Sequence, residues 1–249
     1  MKFDWRMVAL SSLCGAVLSL AVIYEFGWAG LLQPDPAATE KTVHDYLLAH
    51  PEILVDMENN LQEKQAQDEE TARQKAVDKL GLKPFFDPKF AFLTGPANAK
   101  TTMVEFFDYN CPYCRASIPA VKKFYEKNKN TVRFSFIEFP IKGPQSIVAA
   151  RAAMAARKQP DKYVAFHFAL MEQSDLVNEA LMLDVARKSG LDVAKLQADM
   201  KDPAIDTAIA AAHNLAEAAD IDGTPAFIIN GRIREGALND KLLAAMVKS

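Results

Sequence analysis

Two cysteines separated by a Pro-Tyr pair, Cys111-Pro112-Tyr113-Cys114, are the residues of this chain best suited to covalent chemistry. They follow the apolar run Met103-Val104-Glu105-Phe106-Phe107 and precede a helical pattern. A cysteine at a strand-to-helix junction meets free backbone N–H groups and the positive end of the helix dipole, and both favour a thiolate. Two sulfurs on the same first turn lie on one side of the helix, close enough to form a small disulfide ring. An incoming thiol or disulfide then exchanges at Cys111, and Cys114 resolves the mixed disulfide from behind. Pro112 and Tyr113 form the dipeptide that tunes the thiolate, and Pro112 also suits the first helical position. Structural zinc uses the same spacing but normally needs two more Cys or His ligands. Cys14 lies in a distant apolar segment, and His44, His50, His167 and His213 show no paired spacing, so redox chemistry is expected and no metal site.

A second stretch strengthens the redox reading. Gly223-Thr224-Pro225-Ala226-Phe227-Ile228-Ile229-Asn230-Gly231 sets a proline at the start of an apolar strand that ends in an Asn-Gly turn. The Cys-Pro-Tyr-Cys, this Gly-Thr-Pro-Ala-Phe and an acid six residues before the first cysteine together resemble the DsbA-like branch of the thioredoxin superfamily. The resemblance implies that Pro225 is cis and packs beside the dithiol, and that Thr224 pairs with a substrate strand. It also implies that Glu105 lies beneath the site and assists proton movement at Cys114. Strand alternation leaves another place for Glu105, facing solvent at a sheet edge. Phe166, His167 and Phe168 are read as core, with no role assigned.

The surrounding chain must supply the elements that hold these residues. Its 249 residues, half of them apolar, allow one sizeable core plus an extension. A net charge of -3 without a clustered basic face argues against nucleic acid as partner. The expected fold class is α/β, a thioredoxin fold with an all-helical insertion. Residues 83–249 are expected to form the DsbA-like domain, with strands at 91–93, 101–107, 132–139, 226–229 and 232–234 and the insertion at about 144–219. Residues 33–82 read as a linker and helical extension. Thr39 is a plausible N-cap, Pro51 opens a second helix, and Leu54, Met57 and Leu61 fall on one face. The stretch from Gln62 to Lys75 is almost wholly polar and reads as solvated helix. The pattern suggests a homo-oligomer formed through residues 39–61, against the alternative that the helices fold back. The extension also resembles that of a DsbA-like subgroup, some of whose members assemble and isomerise disulfides.

The N-terminus sets the compartment. Residues 1–32 contain an uncharged run from Met7 to Tyr24, with Lys2 and Arg6 before it, the pattern of an export segment. An uncleaved inner-membrane anchor is expected, with a cleaved signal and a soluble protein as the alternative. Leu13 stands where a lipoprotein would carry a small residue, so Cys14 is expected to remain an unmodified membrane cysteine. The dithiol then faces an oxidising space, the periplasm in a bacterium. The expected function is thiol–disulfide exchange on cysteine-containing exported proteins, as isomerase or oxidase, with a membrane redox partner. The Cys111-Cys114 disulfide itself is the redox group, with no diffusible cofactor. A Cu(I)-handling or metal-resistance protein using the same dithiol is the alternative, and a chaperone dedicated to one client is a third reading.

Overall fold

The computed structural model describes residues 35–248, so the expected export segment at 1–32, with Cys14, lies outside the described residues. Five strands form one mixed sheet in the order β1-β3-β2-β4-β5: β1 (Ala91–Thr94), β2 (Thr101–Phe107), β3 (Val132–Glu138), β4 (Ala226–Ile229) and β5 (Arg232–Glu235). β2 and β3 run parallel, joined by a helical crossover, and β1, β4 and β5 add antiparallel partners. β2 is central. It is buried from Met103 to Phe107, which explains a run apolar at every position but Glu105 rather than a two-residue alternation.

The helices, in chain order, are α1 (Pro36–Ala49), α2 (Glu52–Leu80), α3 (Pro112–Asn128), α4 (Pro144–Ala156), α5 (Pro160–Met171), α6 (Glu179–Lys188), α7 (Val193–Asp199), α8 (Ala204–Ala218) and α9 (Asp240–Lys248). The crossover is α3. The five helices α4 to α8 fill the chain between β3 and β4, as expected for an insertion. Their starts are written in the sequence. Pro144 and Pro160 open α4 and α5, while the side chains of Asn178 and Asp192 accept from Leu181 N–H and Lys195 N–H to cap α6 and α7. The buried alanines of α4, including Ala152, Ala153, Ala155 and Ala156, carry too little side chain to hold neighbouring helices far off.

The described residues fall into two compact units, residues 35–64 and 65–248. In residues 35–64, α1 has no buried residue, and Leu48, Leu54, Met57 and Leu61 are exposed. Its N-cap is Asp35, whose carboxylate accepts from Ala37 N–H at 3.1 Å, and not Thr39. An Asp-Pro pair supplies both a cap acceptor and a pre-set first residue, so the helix starts inside the expected linker.

The second unit begins at Gln65 rather than Lys83, because the C-terminal part of α2 belongs to it. Arg73 Nε donates to Asp220 O at 3.1 Å, and its guanidinium pairs with Asp222 and Glu235, each at 3.4 Å. Gln74 Nε2 donates to Gly231 O at 2.9 Å, and Gln74 Oε1 accepts from Ile233 N–H at 3.1 Å. Val77 is buried. Residues 62–72 and Lys75 are exposed, as the solvated reading expects, and the correction concerns Arg73 and Gln74, which dock through polar side chains. Among the described residues, no helix is long and apolar enough to cross a membrane.

Gly95, in the turn after β1, has a φ of +83°, and a Cβ there would run into the Val132 carbonyl. Gly95→Ala is expected to destabilise the fold by about 2–4 kcal/mol, because strain and overpacking add. Gly143, at φ +99° with open space around it, carries the strain alone. Gly143→Ala is expected to cost only about 1–2 kcal/mol. Urea unfolding of both variants measures the difference.

Candidate active site

β2 ends at Phe107, and residues 108–110 turn the chain before α3, with Cys111 N–H donating to Asp108 O at 3.1 Å. Cys111 is the N-cap of α3 and Pro112 its first residue, so Cys111 Sγ sits where the helix presents unpaired N–H groups. Both cysteines are buried free thiols. The Cys111 thiol donates to Thr224 O at 3.0 Å. The Thr224–Pro225 peptide is cis and leads into β4, which pairs antiparallel with β2. The antiparallel pairing of β2 and β4 thus brings Thr224 and Pro225 to the Cys-Pro-Tyr-Cys turn from far along the chain.

The two sulfurs are tuned in opposite directions. Cys111 is lowered to about 5, first by the hydrogen bond from the Cys114 thiol, then by the Thr224 side chain and the backbone N–H groups of Cys114 and Tyr113, against desolvation. Thr224 Oγ1 has no partner in the protonated site, so it is available to the thiolate. Cys114 is pushed far up by desolvation and by the hydrogen bond it gives Cys111, while hydrogen bonding from the Asp108 backbone acts the other way.

Glu105 is an interior residue. It stands beside Phe136 on β3 and Phe227 on β4, is 0% exposed, and neither carboxyl oxygen has a hydrogen-bond partner. The solvent-edge alternative fails because β2 is the central strand. Desolvation raises Glu105 to about 8, and its charge in turn raises Cys114.

Several polar residues at the site escaped the sequence reading. Asp108, buried, collects hydrogen bonds from Asn110, Ser146, Ile141 and Lys142. Arg115 donates to the carbonyls of Tyr109, Ser174 and Asp175. The bond from Asn110 N–H to the Asp108 carboxylate is an Asx turn, and Asp-x-Asn before the first cysteine is the signal that marks it. His167 is buried as expected, but it bonds Tyr109 OH at 3.0 Å, and burial lowers it to about 3, so its imidazole is neutral. Deeper still, Glu138 pairs with Arg157 and accepts from Tyr163 OH at 3.0 Å. In residues 65–248 the large apolar side chains that stay exposed are Tyr113, Ile147 and Leu176. Tyr113 lies within the dithiol motif, Ile147 follows Ser146, and Leu176 precedes Val177, whose N–H donates to Asn110. Among the described residues, no group of three or more His, Cys, Asp or Glu side chains is placed to hold a metal.

The family model described as Thioredoxin matches residues 90–249, and that of the copper resistance protein ScsC N-terminal domain matches residues 36–68. A thioredoxin-like oxidoreductase from Silicibacter pomeroyi DSS-3 is 41% identical at a TM-score of 0.61, over 67% of this chain and 95% of its own. A linker-deleted, substituted ScsC from Proteus mirabilis is 26% identical at a TM-score of 0.63, over 87% of this chain and 97% of its own. The Na(+)/H(+) antiporter NhaA 3 of Salinispora tropica is 32% identical over 66% of this chain and 25% of its own length. The thiol:disulfide interchange protein DsbA of Bordetella parapertussis is 30% identical over 53% of this chain and 65% of its own. The chain therefore spans a quarter of the first curated relative and just under two thirds of the second.

Two titrations test this electrostatic picture. The alkylation rate of reduced Cys111 is expected to rise through a midpoint near 5, and Cys114→Ala, which removes the first thiolate donor, is expected to move that midpoint up. Iodoacetamide labelling against pH reads both. The lowered Cys111 makes the reduced protein gain stability as pH rises from about 5 toward the ordinary thiol range, because the unfolded chain holds the extra proton. The raised Glu105 acts oppositely, removing stability as pH rises from its ordinary value of 4.5 to about 8. Urea unfolding of Glu105→Gln is therefore expected to show a gain over the parent that grows from pH 5 to pH 8.

Proposed function

The chain belongs to the thioredoxin family, in its DsbA-like branch with an N-terminal helical extension, and we propose that it catalyses thiol–disulfide exchange on exported proteins. The observation that carries this reading is the split between the sulfurs: Cys111 lowered to about 5, and Cys114, one helical turn on, pushed up. At neutral pH the first is a ready nucleophile and the second a reserve thiol.

The Cys111 thiolate attacks one sulfur of a client disulfide, forms a mixed disulfide and expels the other client sulfur as a thiolate, which takes a proton from water. Cys114 then gives up its proton, to Glu105 in its ionised form, and attacks Cys111 Sγ. The Cys111–Cys114 disulfide forms, the second client thiol leaves, and two electrons have passed to the client. Run backwards, the same steps oxidise a client dithiol, with Cys114 leaving as a thiolate. Glu105, largely protonated at neutral pH, is suited to hand its proton to that leaving sulfur. If a client thiol attacks the mixed disulfide instead, the client is isomerised. Thr224 and Pro225, beside Cys111, are the proposed docking edge for the client backbone. The exposed Tyr113, Ile147 and Leu176 favour unfolded, apolar segments around the client cysteine.

The apolar residues exposed on α1 and on α2 as far as Leu61 support a homo-oligomer through residues 39–61. An oligomer of dithiols favours isomerisation over simple oxidation, since several sites can work on one client. The proposed location is the periplasm, with the N-terminal segment as an inner-membrane tether and a membrane redox partner to reset the dithiol. The match to a copper resistance protein's N-terminal domain keeps Cu(I) handling as the second reading.

Exchange is tested with scrambled ribonuclease. Cys111→Ser is expected to abolish its refolding, and Cys114→Ser to accumulate mixed disulfides; full activity in Cys111→Ser sinks the mechanism. Sedimentation of residues 36–249 beside a fragment starting at Gln65 is expected to give an oligomer and a monomer, with isomerase activity only in the longer form. Two monomers that merely oxidise reduced ribonuclease identify an oxidase. Cu(I) bound tightly enough to block exchange at equimolar metal favours the second reading.

A further inference from the structure

Asp108 is a buried carboxylate at the active-site turn that the exchange chemistry leaves unused. Its Oδ1 accepts from Asn110 N–H and Ser146 Oγ–H, both at 2.7 Å, and its Oδ2 from the N–H groups of Ile141 and Lys142, both at 2.8 Å. All four donors are neutral, so each of the two carboxyl oxygens accepts two hydrogen bonds. Asn110 extends the grip. Its Oδ1 accepts from Val177 N–H at 2.7 Å, and its Nδ2 donates to Val177 O at 3.3 Å. Arg115, the residue after Cys114, completes it from the helix side, donating to Tyr109 O at 3.0 Å and to Asp175 O at 2.8 Å. Residues 108–110 are thereby fastened to the chain at 141–146 and at 174–177.

The clamp holds the backbone of Cys111, whose N–H donates to Asp108 O at 3.1 Å, but the groups that set the Cys111 thiolate lie elsewhere. The groups that favour a thiolate on Cys111 are the Cys114 thiol, Thr224 and the first N–H groups of α3, none of which belongs to the clamp. The Asp108 backbone, by contrast, is the hydrogen-bonding group that opposes the rise at Cys114, and Arg115 fixes the chain next to it. We propose that Asp108 is a positioning residue for the second half of the exchange, holding the turn so that Cys114, rather than a client thiol, attacks the mixed disulfide at Cys111. This inference rests on the exchange reading above. It deepens that reading by assigning to the clamp the choice between resolution and isomerisation.

The test uses the full chain with oxidised glutathione as probe, and separates the two steps by acid quench and mass spectrometry. Formation of the mixed disulfide is timed in a Cys114→Ser background, and its lifetime in protein that keeps Cys114. Asp108→Asn sets an amide N–H against N–H donors. It is expected to lengthen the lifetime about tenfold while changing formation less than about twofold, the scale of one or two lost hydrogen bonds. Ser146→Ala removes a single donor and is expected to lengthen the lifetime by about threefold. Equal slowing of both steps, or an unchanged lifetime in folded Asp108→Asn, overturns the proposal. If Asp108→Asn does not fold by near-UV circular dichroism, Ser146→Ala decides by the same criterion. If the Cys114→Ser protein forms no mixed disulfide at all, the exchange reading itself fails, and the inference falls with it.

Discussion

One constraint governs the molecule: a negative charge must be stable on Cys111 and unstable on Cys114, within a single helical turn. Water would level the two, because an exposed thiol in either place would titrate near its ordinary value. The protein separates them by keeping both dry and distributing donors unequally. Cys111 receives the N–H groups of a helix start and the hydroxyl side of Thr224, whereas Cys114 sits over the buried Glu105. The sheet order follows from this need. Only a central strand can carry Glu105 inward without exposing it, and only an antiparallel neighbour of that strand can bring Thr224 to the same end.

The helical insertion takes part in this arrangement. Ser146 lies on α4, and Ser174, Asp175 and Val177 lie in the connection between α5 and α6; together they hold the turn that leads to the first cysteine. The same segments carry the exposed Ile147 and Leu176, next in sequence to Ser146 and Val177 of that hold. The dithiol turn and the polar clamp that holds it are thus built from strand ends on one side and insertion on the other. A change within the insertion reaches the thiols through backbone geometry rather than through charge.

Much of this was legible in the sequence because it rests on local rules. The strands, the proline-opened helices and the extent of the insertion follow from apolar runs, Pro positions and cap residues, and the cysteine pair declares its own chemistry. The missed features depend on long-range pairing. Asp108, Asn110 and Arg115 read as ordinary loop and helix polars, since their partners are distant in the chain. Glu105 could be placed at an edge or in the interior until the strand order was known. The polar stretch ending at Lys75 is solvated as its composition implies except at Arg73 and Gln74, which dock by hydrogen bonds that no apolar face announces. The Asp35 cap is hidden in sequence because an aspartate between two prolines reads equally as linker, leaving Thr39 as the expected start.

Gln74 has one more effect. β5 is the last strand of the sheet, and the outer row of an edge strand offers unpaired N–H and C=O groups to any passing chain. The Gln74 amide answers the N–H of Ile233 and the C=O of Gly231 as a neighbouring peptide unit would, and Arg232 and Arg234 flank that position with charge. For a protein whose proposed work is to meet half-folded polypeptides, this is protection against templating. A strand that tried to extend the sheet at β5 would find the N–H of Ile233 and the C=O of Gly231 already bonded, which blunts this edge as a template for aggregation.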